Sequence, residues 1–173
     1  MRRISIVVAV LVAAVMTATA LAAVNVKTYP TASFSGASVT LTGGNFSGLG
    51  SVPASATLTV TGSATYTCSN KGGNEAPGQN PVPAQGGSSG PVDLGNADHN
   101  GRGTVSGITA SVTAPSPAPT AQQVGCGGGG STSWTVTLNT LTATAAKLVI
   151  TQGGSTIFCR NYTLGGDPIG TAC

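Results

Sequence analysis

The chain has 173 residues, room for a targeting segment and one domain, and only 6% of them are charged, against roughly a quarter in an average soluble protein. Two of the seven basic residues are Arg2 and Arg3. The rest of the chain sets five basic side chains (Lys27, Lys71, Arg102, Lys147, Arg160) against four acidic ones (Glu75, Asp93, Asp98, Asp167), a net charge near +1. No basic patch can displace counterions from a phosphate backbone, which counts against a nucleic-acid partner.

Arg2 and Arg3 precede an apolar run from Ile4 to Met16, and small residues ending in Ala20-Leu21-Ala22 close it. Basic, apolar and Ala-x-Ala in that order read as a secretory signal peptide over 1–22, leaving one exported domain over 23–173. The apolar core is shorter than the ~20 residues that a helical span needs. No Cys follows the cleavage point to take a lipid, so the mature chain is expected to leave the membrane.

After the leader, polarity is carried by Thr, Ser, Gly and Asn, and Thr is β-branched and favours extended backbone. Val24 to Tyr29 is a first strand ended by Pro30. Ser33 to Thr42 alternates, with Ala37, Val39 and Leu41 on one face, and Gly43, Gly44 and Asn45 turn it. Phe46, Leu49 and Val52 lie in a Gly-rich connection expected to plug one end of a core. The clearest strand runs from Ala56 to Cys68, where Ala56, Leu58, Val60, Gly62, Ala64, Tyr66 and Cys68 carry apolar or small groups, nearly always separated by Thr or Ser. Period two puts those residues on one buried face and the hydroxyls on the other. The segment is expected either as one long strand or as two strands meeting at a kink near Gly62 and Ser63, since glycine inside a strand often marks a bulge or a sharp bend.

Ser69 to Gly103 has little periodicity and reads as a long loop with one short edge strand at most; such loops are commonly functional or disordered. Thr104 to Thr113 is a strand with Ile108, Ala110 and Val112 inward, and Ala114 to Gln123 a Pro-rich crossover. Gly127 to Gly130 cannot hold regular structure. Trp134, Val136 and Leu138 share one face of a strand, and Ala146, Leu148 and Ile150 one face of another. Gln152 to Ser155 is a hairpin turn into Ile157 to Thr163. The tail from Leu164 to Cys173 is loop. Seven or eight strands and no helix beyond the leader predict an all-β fold, an immunoglobulin-like antiparallel sandwich with a small barrel as the alternative.

Four cysteines in an exported chain imply two disulfides, with three possible pairings. The preferred ones are Cys68 with Cys126 and Cys159 with Cys173. The first ties the end of the long strand to the segment before Trp134, closing about 57 residues and contributing roughly 4 kcal/mol in the chain-entropy model. The second staples the tail to the last strand. A metal is the poorer use of these sulfurs, because no Cys-x-x-Cys occurs and the single histidine lies in another loop.

Candidates for chemistry are few. Asn96, Asp98, Asn100 and Gly101 reproduce the opening of a calcium loop, but Asn stands where Asp is usual and Gly107 takes the place of the bidentate Glu; the plainer reading is a turn. His99 is the only histidine, so any Ser–His arrangement must use it, and no Gly-x-Ser-x-Gly elbow is present. The carboxylates are too few to define a glycosidase pair; Glu75 with Asp93 or Asp98 could be proposed, but nothing favours it. The Gly127 to Gly130 run lacks the Lys and Ser or Thr of a phosphate loop. Trp134, Tyr66 and Tyr162 could line a sugar-binding face, though Trp134 and Tyr66 sit on apolar registers and read as core. Asn45-Phe46-Ser47 and Asn161-Tyr162-Thr163 match the glycosylation pattern.

The run Cys68-Ser69-Asn70-Lys71-Gly72-Gly73-Asn74-Glu75-Ala76-Pro77-Gly78-Gln79-Asn80-Pro81, with the Thr-rich strand before it and Cys126 and Trp134 after it, resembles a group of small secreted bacterial proteins with no assigned activity. The resemblance implies export and a β fold and adds no catalytic residue; the four-glycine loop after Cys126 and the terminal Cys173 depart from the group. The expectation is a secreted, non-enzymatic module, structural or binding, without cofactor, presenting the Ser69 to Gly103 loop to an extracellular protein or cell-wall component, with self-association through edge strands open to it. A secreted hydrolase, or an inhibitor of one, is the alternative.

Overall fold

A computed structural model describes residues 24–50, 52–94, 101–126 and 133–173. The expected leader therefore lies outside the described residues. Thirteen strands and no helix are seen among them: β1 (Asn25–Thr28), β2 (Thr31–Ser35), β3 (Ser38–Thr42), β4 (Gly44–Ser47), β5 (Ala54–Asn70), β6 (Glu75–Pro77), β7 (Val82–Pro83), β8 (Gly87–Asp93), β9 (Gly103–Val105), β10 (Ile108–Ser111), β11 (Trp134–Gln152), β12 (Ser155–Thr163) and β13 (Thr171–Ala172). They form one large sheet, β13-β12-β11-β5 with β6, β7 and β8 along the far side of β5, and two three-stranded sheets, β1-β4-β9 and β10-β3-β2. Every pairing is antiparallel. The fold is an all-β sandwich, and no sheet closes into a barrel.

The main core lies where the large sheet faces the two small ones. Leu58, Val60, Leu148 and Ile150 come from β5 and β11, Val39 and Leu41 from β3, Ile108 and Ala110 from β10, and Phe46 and Val105 from β4 and β9. Fully burying one such side chain contributes about 1.5–3 kcal/mol. A second, smaller cluster holds Ala64, Tyr66, Cys68, Ala121, Val124 and Cys126. It occupies the same face of β5, further along. Gly62 separates the two.

β5 and β11 are the backbone of the molecule. They run 17 and 19 residues and pair along the whole length from Ala54↔Gln152 to Asn70↔Trp134, a ribbon on the order of 55 Å long at ~3.3 Å per residue. Two expected strands, one around Trp134 and one around Leu148, are thus a single strand. The sequence hides this because β11 carries irregularities between Leu138 and Thr140 and between Ala143 and Ala145. Each inserts one residue and switches the parity of the alternation. β5 runs through Gly62 and Ser63 as one strand, the first of the two expected alternatives, and the nearby bulge belongs to β11.

Elsewhere the expected segments are finer than the periodicity showed. Ser33 to Thr42 is a hairpin of β2 and β3, joined by Gly36 at φ +54° and Ala37; glycine first in a two-residue loop turns the chain without disturbing the alternation. Thr104 to Thr113 divides at Gly107 into β9 and β10. Phe46 belongs to strand β4, Leu49 does plug the core at 3% exposure, and Val52 points outward at 51%. The Gln152 Nε2 donates to Val52 O at 2.6 Å and so ties this connection down. The hairpin at Gly153 and Gly154, with φ of +56° and +80°, joins β11 and β12 as expected. The tail ends in β13, which pairs Thr171 and Ala172 with Asn161 and Arg160.

The largest correction concerns Ser69 to Gly103. Its described part is mostly paired: β6, β7 and β8 return in turn along β5, opposite 67–69, 63–64 and 55–60. Pro77, Pro83 and Pro91 misled the sequence reading. Proline cannot donate to a ladder, yet on an edge strand its missing N–H faces solvent at no cost.

Candidate interaction face

Antiparallel residues that lie directly opposite one another share a face. On the face of the ribbon turned away from the cores, the pairs are Ser69/Thr135, Thr67/Thr137, Thr65/Thr140, Ser63/Thr142, Thr61/Ala145, Thr59/Lys147, Thr57/Val149 and Ser55/Thr151. Both bulges of β11 serve this face. Thr137 to Thr140 is a step of three, so in unbroken alternation Thr140 and Thr142 would turn toward the cores; the bulge at Asn139 keeps them outside, and the one at Thr144 sets Ala145, Lys147, Val149 and Thr151 on the same face. The result is a ladder mostly of hydroxyls, interrupted on β11 by Ala145, Lys147 and Val149, with rows about 6.7 Å apart along the strands and columns about 4.8 Å apart across them. Some rungs hydrogen-bond internally: Thr65 Oγ1 to Thr140 Oγ1 at 2.6 Å and Ser55 Oγ to Thr151 Oγ1 at 3.1 Å. The same device recurs on the β3–β10 pair, with Thr40 to Thr109 at 2.8 Å and Ser38 to Ser111 at 2.7 Å.

Lys147 is the only charge on the ladder. It lies in a row with Thr59 and Asn161, and with Thr61 and Thr163 these line a shallow groove of about 300 Å³. A second hollow of about 390 Å³ lies on the β1-β4-β9 sheet, lined by Lys27, Asn45, Ser47, Arg102 and Thr104.

Both expected disulfides are present. Cys68 and Cys126 join with Cα atoms 6.1 Å apart, and Cys159 and Cys173 with Cα atoms 5.5 Å apart. The first sits inside the smaller cluster, where Cys68 and Cys126 are 0% and 4% exposed. The second fastens the tail, aided by Arg160 Nη2 donating to Gly170 O at 2.7 Å and Ala32 N donating to Pro168 O at 2.8 Å. The Arg160 guanidinium also lies 3.9 Å from the centroid of the Tyr29 ring. Two bridges of this kind fit an extracellular location.

The run that carried the sequence resemblance has an architectural use. Asn70 Oδ1 accepts from Gly72 N at 2.9 Å and Asn74 N at 3.0 Å, closing the turn between β5 and β6. Gly78 N then donates to Tyr66 O at 2.7 Å, and Asn80 N to Val124 O at 3.1 Å, so the segment clamps the 121–126 turn onto the ribbon. A Cβ at Gly78 would lie 2.9 Å from Tyr66 O and 3.1 Å from Val124 O, which explains the glycine.

Of the residues singled out for chemistry, Asn96, Asp98, His99 and Asn100 lie outside the described residues, as do Gly127 to Gly130. Among the described residues no group of three or more His, Cys, Asp or Glu could hold a metal. Glu75 falls on edge strand β6 and Asp93 at the end of β8, opposite Ser69 and Ser55 respectively, at far ends of β5. The three aromatics form no sugar platform. Tyr66 and Tyr162 are buried at 5% and 1%, and Trp134 packs half-buried on the smaller cluster. The Tyr162 hydroxyl donates to Pro30 O at 3.3 Å, and burial pushes its phenol up to about 12, with Arg160 pulling the other way. Asn45 uses its amide within the sheet, donating to Thr28 Oγ1 at 2.8 Å and accepting from Thr104 Oγ1 at 3.2 Å. On β11 the hydroxyl face does not show as a period of two, because one step between its threonines, Thr137 to Thr140, is three residues long.

Compared with known protein families, curated proteins and solved structures, the chain matches none.

Proposed function

We propose that the chain is a secreted, non-enzymatic module of the cell exterior, immunoglobulin-like in its layering, that binds an extracellular protein or cell-wall component through the hydroxyl face of the β5–β11 ribbon. The observation that carries the reading is the parity switch at Asn139. A solvated strand face needs polar residues of any kind, whereas the bulge at Asn139 returns Thr140 and Thr142 to the side that already carries Thr135 and Thr137, so that opposite Ser63, Thr65, Thr67 and Ser69 one chemistry is held along this half of the ribbon. The basic-apolar-small leader and the paired cysteines support export. The ladder replaces the Ser69 to Gly103 segment as the presenting surface, because β6 to β8 are spent on pairing β5.

The test compares retention of the purified mature protein on cell-envelope fragments with that of a triple variant, Thr65→Val, Thr137→Val and Thr140→Val. Valine keeps the shape and β-branching and removes the hydroxyls. Retention that falls at least tenfold, with an unchanged melting temperature, is the expected result. No retention of the parent protein, or equal retention of both, rejects the reading.

A further inference from the structure

We propose that the free end of β11 pairs edge to edge with the same segment of a second copy of this chain, antiparallel and centred on Val136. This does not depend on what the hydroxyl face binds.

From Ala145 onward β11 lies between β5 and β12. The cover ends with Leu164 N donating to Thr144 O at 2.9 Å and Ala143 N donating to Gly36 O at 2.8 Å. From Trp134 to Thr142, no described residue pairs with the outer edge of the strand. Open edges carry unmet N–H and C=O groups, and proteins blunt them with charge, proline or brevity. The opposite side of the same sheet is treated that way: β6 has Glu75 and Pro77, β7 is two residues with Pro83, and β8 has Pro91 and Asp93. The β11 edge has neither charge nor proline from Trp134 to Ala146.

The segment is also complementary to itself. Trp134, Val136 and Leu138 share the face that bears the smaller cluster, since they oppose Asn70, Cys68 and Tyr66, while Thr135 and Thr137 lie on the hydroxyl face. Reversed, apolar-Thr-apolar-Thr-apolar reads the same. A two-fold centred on Val136 therefore sets Trp134 of each copy across from Leu138 of the other and Val136 across from itself. On the other side it sets Thr135 across from Thr137, the type of rung already formed by Thr65 and Thr140. Leu138, 38% exposed in the single chain, gains cover. An unrelated strand would not match both faces, and this one does so without like-charge repulsion. The insertion at Asn139 ends the straight seam, leaving five residues, about 17 Å. With side chains reaching about 10 Å, that is well below the ~800 Å² per partner of a standard interface. The pairing is accordingly a concentration-dependent one, suited to copies crowded on a surface.

Sedimentation velocity on the oxidised mature protein, from micromolar to millimolar concentration, should show a dimer growing with concentration. Thr137→Lys and Leu138→Lys should each weaken it at least tenfold; Thr137 is exposed on the hydroxyl face, so its variant folds even if the other does not. Register is read by mixing Thr135→Cys with Thr137→Cys, both on the face away from Cys68: the mixture should cross-link at least tenfold faster than either variant alone. A monomer at every concentration, a dimer indifferent to both lysines, or equal cross-linking overturns the proposal. Envelope retention without dimerisation would leave the proposed function standing and remove only this inference.

Discussion

Replacing Gly62 with alanine tests the claim that the ribbon is continuous and that its two strands approach closely at its waist. Gly62 lies opposite Ala143, between buried Val60 and Ala64 and between the two clusters. A Cβ placed there would run into the carbonyl oxygen of Thr142 and come within 3.0 Å of the Ala143 Cα. Both neighbours are backbone, held by pairing on either side, so relief requires β5 and β11 to part. Overpacking of this kind costs about 1–3 kcal/mol, and the rigid neighbours put Gly62→Ala toward the upper end. For a domain near 150 residues each kcal/mol lowers the melting temperature by roughly 2–4 °C, so calorimetry on the oxidised protein should find a loss of about 5–10 °C. Gly36 is the matched control. A Cβ there meets nothing within 4 Å, but φ is +54°, so alanine costs about 1–2 kcal/mol of left-handed strain. The two mechanisms separate on asparagine, which tolerates the left-handed region: Gly36→Asn should recover stability relative to alanine, and Gly62→Asn should lose more. A Gly62→Ala protein melting within about 1 °C of the parent would mean that the strands do not meet at that point.

Two other measurements probe the main core. The unfolded chain surrenders the Tyr162 proton near 10 and the folded chain near 12, so the folded state loses stability as pH rises from 10 toward 12, by on the order of 2–3 kcal/mol. Urea titrations at about pH 9 and about pH 11 should show roughly half of that decline, about 1–1.5 kcal/mol, in the parent and a smaller one in Tyr162→Phe; equal declines would show that the phenol is not buried as described. Leu148 is 0% exposed and opposes Leu58 within the main core, so Leu148→Ala should cost about 2–5 kcal/mol in denaturant titration, while Leu138→Ala at the free end should stay within about 0.5 kcal/mol at low protein concentration.

What the sequence made legible followed from period two. The buried register of β5 was readable because seven alternate residues from Ala56 to Cys68 hold one parity, and the Gly153–Gly154 turn was readable because two successive glycines supply the positive φ that a two-residue hairpin needs. β11 was not readable as one strand, because bulges at Asn139 and Thr144 reset its parity, and a periodicity argument sees two short strands, around Trp134 and around Leu148, instead. β6, β7 and β8 were hidden by Pro77, Pro83 and Pro91, residues that forbid a central strand but are tolerated on an edge that the sequence cannot locate. Both disulfides were reachable from strand ends and spacing. The hydroxyl face was half legible: β5 displays it openly, while on β11 it emerges only once the pairing is known.

The placement of the two clusters along one ribbon implies that they differ in what holds them. The main core draws buried residues from all three sheets. The smaller one has six, two of them the bridged Cys68 and Cys126, and Ala121, Val124 and Cys126 come from a turn attached to the ribbon through Gly78, Asn80 and the disulfide. So few apolar side chains cannot offset the entropy of ordering the Pro-rich 114–126 segment, at roughly 1–2 kcal/mol per residue; the covalent link, closing a loop with sequence separation 58, supplies what packing lacks, roughly 4 kcal/mol in the chain-entropy model. Breaking it should therefore open one end of the molecule and spare the other. In Cys68→Ala/Cys126→Ala, amide hydrogen exchange should lose protection at 64–70, 121–126 and 134–138 and keep it at 56–60 and 146–150, because local openings follow the units that contacts define. Simultaneous loss at both ends would show that the ribbon transmits the damage through Gly62 and that the sandwich is one cooperative unit; unchanged protection at 121–126 would show that packing alone holds the smaller cluster.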